Sequence, residues 1–173
     1  MLAFLKLIER GLNAVVRPAA FLALAAMLVV VTLQIIFRMT FDALSWSEEA
    51  ARYLLVWSTF LGATVAWQLG RHIAVTALID LLPAALARTG RILSHASCLV
   101  FFVLAVNAGW HYMAMQGFQV SASMRIPMPW VYAIIPVTSA IMAFYSMVDL
   151  LEALTGREPE VDDAIDTDTE PHT

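Results

Sequence analysis

Charge is what this sequence has least of. Asp, Glu, Lys and Arg make up 14% of 173 residues, and four stretches hold none of them. Pro18–Phe37 runs 20 residues uncharged, Tyr53–Gly70 runs 18, Ile92–Met124 runs 33 and Ile126–Val148 runs 23. A soluble domain of this size, 61% hydrophobic with a mean hydropathy of +0.76, has no way to hide so much apolar surface. Cysteine is reduced to Cys98, which excludes an intrachain disulfide and says nothing of an oxidising compartment. There is no glycine-rich phosphate loop and no internal repeat. A nucleic-acid surface is excluded too. Residues 157–173 set one arginine against seven acids, and the remainder is only slightly basic.

What is present is apolar length. About 20 apolar residues carry a helix across a hydrocarbon core of about 30 Å. Unpaired backbone groups are not tolerated there, so each crossing is expected to be an α-helix. The third stretch exceeds one crossing and falls short of two, which ends its helix near Gln116. The expectation is an all-α integral membrane protein of four transmembrane helices, at about 18–38, 50–70, 92–115 and 129–152. Together these form one domain over residues 1–155. The acidic tail, 156–173, reads as disordered. Ala23-Leu24-Ala25 resembles a cleavage box, but the apolar run continues well past it, so the segment reads as an uncleaved first span. Ahead of it, Lys6, Arg10, Asn13 and Arg17 share one helical face, with Leu5, Ile8, Leu12 and Val15 on another. That pattern predicts an amphipathic segment on the membrane surface.

Orientation follows from Lys and Arg. With both termini cytoplasmic, inside segments carry Lys6, Arg10, Arg17, Arg71, Arg88, Arg91 and Arg157. Outside segments carry only Arg38, Arg52 and Arg125. Trp46 and Trp130 then fall at the outer interface and Trp67 at the inner one.

Ser45-Trp46-Ser47-Glu48 predicts a capping box that starts the second helix near Trp46. Glu48 and Arg52 are spaced for an i,i+4 ion pair, and Glu49, Tyr53 and Trp57 share a neighbouring stripe. Two readings stand: a solvated, self-paired helix start, or a polar contact face for another subunit. Gly70-Arg71-His72 opens a loop whose apolar middle, Ile73–Leu82, skims the inner surface. Ser123–Trp130 forms the last outer turn, with Pro127 and Pro129 delaying the helix and Arg125 its one charge. Pro136 is expected to bend the fourth span. Ser139, Ala143 and Ser146 give that span a small-residue face.

No Asp, Glu, Lys or Arg lies deep in any span. Their polar residues are Thr32, Gln34, Ser58, Thr59, Thr64, Gln68, Asn107, Ser139 and a few like them. A stand-alone transporter would normally show a charged or discontinuous path at mid-membrane. The chain therefore reads as an accessory or anchoring subunit. The alternative is an oxidoreductase anchor, with or without haem, in which His72 and His95 lie at similar depth. His95 and His111 are excluded as a ligand pair, being about 24 Å apart on one helix. The nine methionines are scattered and read as packing, and no catalytic residue, metal or cofactor is expected.

The series Phe37-Arg38, Trp46-Ser47-Glu48-Glu49-Ala50-Ala51-Arg52-Tyr53, Trp57 and Leu61-Gly62-Ala63 resembles the DctQ-type small membrane subunit of TRAP (tripartite ATP-independent periplasmic) transporters. His72-Ile73-Ala74-Val75, Leu82-Pro83, Ile126-Pro127, Trp130, Tyr132 and Pro136 continue the resemblance to about residue 155. Thr76 stands where the family often has an acid. The resemblance implies a non-enzymatic subunit of the bacterial inner membrane. Its partners would be a large membrane subunit, a periplasmic substrate-binding protein and lipid. Sodium and the organic acid, C4-dicarboxylate by default, would bind the large subunit. On this basis Arg38, Glu48, Glu49, Arg52 and Arg125, with Trp46, Trp57 and Trp130, are candidates for the subunit interface or docking rim. Arg71 and His72 are candidates for anchoring at the headgroups.

Overall fold

The computed structural model describes residues 2–40, 44–79 and 84–155. Helix dominates them, and no strand occurs among the described residues beyond one isolated bridge. Helix α1 spans Leu2–Thr40, α2 Ser47–Ile79, α3 Ala84–Met115, α4 Met128–Tyr132 and α5 Ile134–Thr155. Three of these stretches, Phe4–Met39, Leu86–Met115 and Met128–Thr155, are long and apolar enough to cross a membrane. α2 is the more polar one, because Thr59, Thr64 and Gln68 interrupt its apolar run.

The chain alternates between two ends of the bundle. α1 finishes and α2 starts at what we call the Glu49 end, where α3 also finishes. α5 finishes at the opposite, Glu152 end, near where α1 begins. α1 packs chiefly on α2, and α3 on α5, with α2 bridging the pairs. The buried core lies at that bridge. Val16, Leu61 and Ile134 meet there, flanked by Ala19, Ala20 and Ala23, whose small side chains let α1 approach α2 closely. Trp67 packs edge-on to Phe102, 5.0 Å between ring centres, and ties α2 to α3. Large apolar side chains elsewhere point outward, as expected of helices whose solvent is lipid. α5 is the most enclosed helix, with Thr138, Tyr145, Ser146 and Val148 almost fully buried, whereas most large apolar side chains of α1 face outward.

Several expectations need correction. Residues 2–17 are no separate surface segment but the first turns of an unbroken α1, which carries Pro18 without interruption. Their polar side turns toward α5, while Phe4, Leu7 and Val15 face outward. Gly70 does not end the second helix. The backbone stays helical to Ile79, because the apolar residues after it favour continuation, so Arg71 and His72 are helical rather than in a loop. Their side chains lie outside the described residues, as do positions 80–83 and the acidic tail. Pro136 does not kink the middle of a span. It sits in the first turn of α5, where its missing N–H leaves Tyr132 without a helical partner, and the break falls at Ala133. Ala133 N–H bonds the Pro129 carbonyl at 2.9 Å, and the helix resumes with Val137 N–H to Ala133 at 3.2 Å.

Candidate functional site

At the Glu49 end, α2 begins without the expected capping box. Ser47, fully buried, donates its hydroxyl to the Leu44 carbonyl at 2.8 Å, and Ala50 N–H bonds the Trp46 carbonyl. This local turn sets the helix start at Ser47, two residues beyond Ser45. Glu48 and Glu49 in the first turn complement the positive end of the helix dipole.

The stripe Glu49–Tyr53–Trp57 then reaches across to the segment joining α3 to α4. That segment is a short hairpin. Ser121 N–H bonds the Ile126 carbonyl and Met128 N–H the Gln119 carbonyl, both at 2.9 Å, leaving residues 122–125 as the tip. Arg125 closes it at φ 53°, the left-handed region that a non-glycine residue enters rarely. The tip turns three successive amides toward one carboxylate. Ala122, Ser123 and Met124 N–H groups lie 3.2, 2.9 and 3.1 Å from the Glu49 oxygens. Such a run of amides makes an anion-binding concavity. Tyr53 donates its hydroxyl to the same carboxylate at 2.6 Å, and Ser121, 5% exposed, braces Met124 N–H from within. The Tyr53 hydroxyl, then Ser121, then the backbone amides hold the Glu49 pKa down to about 2. One turn on, the Trp57 indole N–H bonds the Val131 carbonyl at 3.2 Å, and Tyr112 packs edge-on to Tyr132. Between α2, the hairpin and α4 lies a cavity of about 470 Å³, rimmed by Arg52 and Gln119 and floored by Val56 and Val131.

The remaining predicted residues divide differently. Glu48 and Arg52 do pair, but at 3.5 Å with side chains 76% and 67% exposed, so the pair contributes little. Arg38 lies exposed in the last turn of α1, with no hydrogen bond or ion pair to Glu48 or Glu49 among the described residues. Trp46, Arg125 and Trp130 are exposed as well. The structure therefore joins Glu49 to the hairpin and Trp57 to α4, and leaves the others on the rim.

Sequence reasoning missed a second polar seam, at the Glu152 end. Lys6 pairs with Glu152 at 3.1 Å, Tyr145 donates to Asn13 at 2.6 Å, and His95 lies 4.0 Å from Asp149. Arg88 caps α5 by donating to the Leu154 carbonyl, and Arg17 reaches Gln68 on α2 at 3.1 Å. The signal was available as matching spacings, Lys6–Glu9–Asn13 against Tyr145–Asp149–Glu152.

Comparison with known proteins fits this helical plan. A family model described as "Tripartite ATP-independent periplasmic transporters, DctQ component" matches residues 27–156. The chain belongs to that family. As a DctQ component it is a multi-pass protein of the bacterial inner membrane and a transport component rather than an enzyme. This sets aside the oxidoreductase-anchor alternative. A Haemophilus influenzae protein assigned to the TRAP small permeases is 32% identical over 88 residues, which are 50% of this chain and 55% of that one. The matched part thus spans about half of that relative. The sialic acid TRAP transporter small permease protein SiaQ of Vibrio cholerae is 27% identical over 157 residues, 88% of this chain and 90% of its own. The sialic acid TRAP transporter permease protein SiaT of Haemophilus influenzae is 29% identical over 112 residues, 64% of this chain but only 18% of that one. In SiaT, a DctQ-like stretch is thus a small part of a much longer permease chain.

Proposed function

We propose that this DctQ component is the small permease subunit of a TRAP transporter, packing against the static scaffold of a large membrane subunit and steadying it in the bilayer. The large subunit moves sodium and an organic acid, delivered by a periplasmic binding protein. The family match over residues 27–156 carries this reading. In it α2 is the fourth span, both termini are cytoplasmic, and the Glu49 end faces the periplasm. The hydroxyls of α2 support its placement in lipid. Ser58 and Thr59 both donate to the Leu55 carbonyl and Thr64 to that of Phe60, so they bring no unpaired donor into hydrocarbon. Arg38, Glu48, Arg52, Arg125, Trp46 and Trp130 form the docking rim for the large subunit or binding protein, while Glu49 holds the hairpin and Trp57 holds α4 behind it. Arg71 and His72 anchor the opposite end at headgroups.

The test is purification from native membranes in mild detergent, with mass spectrometry and an absorption spectrum. A colourless complex with one much larger multi-span protein is expected. A lone chain, or a red eluate with redox subunits, would refute the proposal.

A further inference from the structure

Exposed span hydroxyls satisfy themselves within their own helix: Thr32 bonds the Leu28 carbonyl, Thr59 that of Leu55 and Ser97 that of Leu93. Asn107 on α3 does not. The residue is exposed and, among the described residues, its carboxamide makes no hydrogen bond. Its depth can be read from its neighbours. Trp57 bonds Val131, near the rim. Gly109 touches Ile135 and Pro136, a turn further from that end, and Asn107 lies two residues deeper still. A turn of helix is about 5.4 Å, more than an Asn side chain spans beyond Cβ, so this group cannot reach the headgroups. Gln34 differs, being longer and one turn from Arg38 at a helix end. An amide left unpaired in hydrocarbon is strongly unfavourable.

Asn107 also sits within a continuous outward stripe of α3. Leu93, Val100 and Leu104 precede it, and exposed His111 follows one turn nearer the rim. We propose that this stripe is the seam against a membrane-spanning helix of the large permease subunit, which supplies a hydroxyl, carboxamide or free carbonyl at the depth of Asn107. The inference rests on the small-subunit reading above and adds which face is covered. A large permease is the occupant favoured over a second copy, because a DctQ-like stretch in SiaT makes up only 18% of a longer permease chain. An Asn from each of two copies would instead have to meet across a symmetry axis, leaving the His111 side without a fixed partner.

The experiment places a photocrosslinking residue at Leu104 or Ala108, both exposed beside Asn107, with Leu28 on α1 as the control, in membranes containing the whole complex. Positions 104 and 108 are expected to react with the large subunit and Leu28 to give no such product. In a lipid-reconstituted association assay, Asn107→Leu is expected to weaken subunit pairing about three- to twenty-fold, with Asn107→Gln retaining most of it. Crosslinking to a second 19.1 kDa copy, reaction with the large subunit from Leu28 alone, or unchanged pairing in Asn107→Leu would each overturn the assignment. Absence of any large subunit from the purified complex would instead overturn the small-subunit reading itself.

Discussion

Gly109 separates packing from helix propensity. A Cβ built there would lie 3.0 Å from Ile135 Cγ2 and 3.1 Å from both Cδ and N of Pro136, inside ordinary contact at 3.4–4 Å. Ile135 has a rotamer to give, but the proline ring and its backbone nitrogen do not, so α5 must back away by a few tenths of an ångström. Forcing one methyl into a closed contact costs about 1–3 kcal/mol. Replacing glycine by alanine in a helix returns about 1 kcal/mol. Gly62 supplies the control, because its Cβ would meet nothing within 4 Å. The propensity gain is common to Gly109→Ala and Gly62→Ala, so the difference between them isolates the packing term. Reversible unfolding in mixed detergent micelles should find Gly109→Ala less stable than Gly62→Ala by about 1–3 kcal/mol. Equal stabilities would refute the close approach of α3 to Pro136.

Glu49→Ala should expose the amides of Ala122, Ser123 and Met124 to faster hydrogen exchange, while Glu48→Ala leaves them protected; equal protection in both would refute Glu49 as the group that holds them. Because the Glu49 pKa is lowered from 4.5 to about 2, its contribution is full above pH 4.5 and is lost as pH falls through about 2. Isotope-edited infrared spectra should therefore still show an ionised carboxylate at pH 3.5, and a protonated band at that pH would contradict the geometry. At the other end, a double-mutant cycle on Lys6→Met and Glu152→Gln should give a coupling of about 1–3 kcal/mol. That lies between the values for exposed and buried pairs, since the side chains are 33% and 10% exposed.

The helices were legible because gaps in charge are a one-dimensional signal. The third helix was expected to end near Gln116 and ends at Met115, and the prolines at 127 and 129 hold α4 back to Met128. The stripe of Glu49, Tyr53 and Trp57 was legible too, since a spacing of four needs only helical geometry. What it faces was not, because three amides 73 to 75 residues away converge on Glu49 only after the hairpin closes. Ser45 fitted the capping pattern as well as any residue could, yet the bond from Ser47 to Leu44 decided the start. Pro136 shows the same limit. Its effect falls on the carbonyl four residues earlier, and whether that bends or breaks a helix depends on the neighbours that can replace the lost bond.

The length of α1 has a mechanical consequence. At about 1.5 Å per residue, 39 residues make a rod of roughly 58 Å, against about 40–45 Å for a whole bilayer with its headgroups. Such a rod has no natural stopping point from its ends alone. Under the function proposed above, vertical registration would come instead from the collar of indoles and guanidinium groups at Trp46, Trp130, Arg38 and Arg52, and the surplus would project at the far side, where Lys6 meets Glu152. In a thicker or thinner bilayer that collar would stay level and the lean of the bundle would change, so the rim would keep its height above the lipid while the tethered foot swung beneath it.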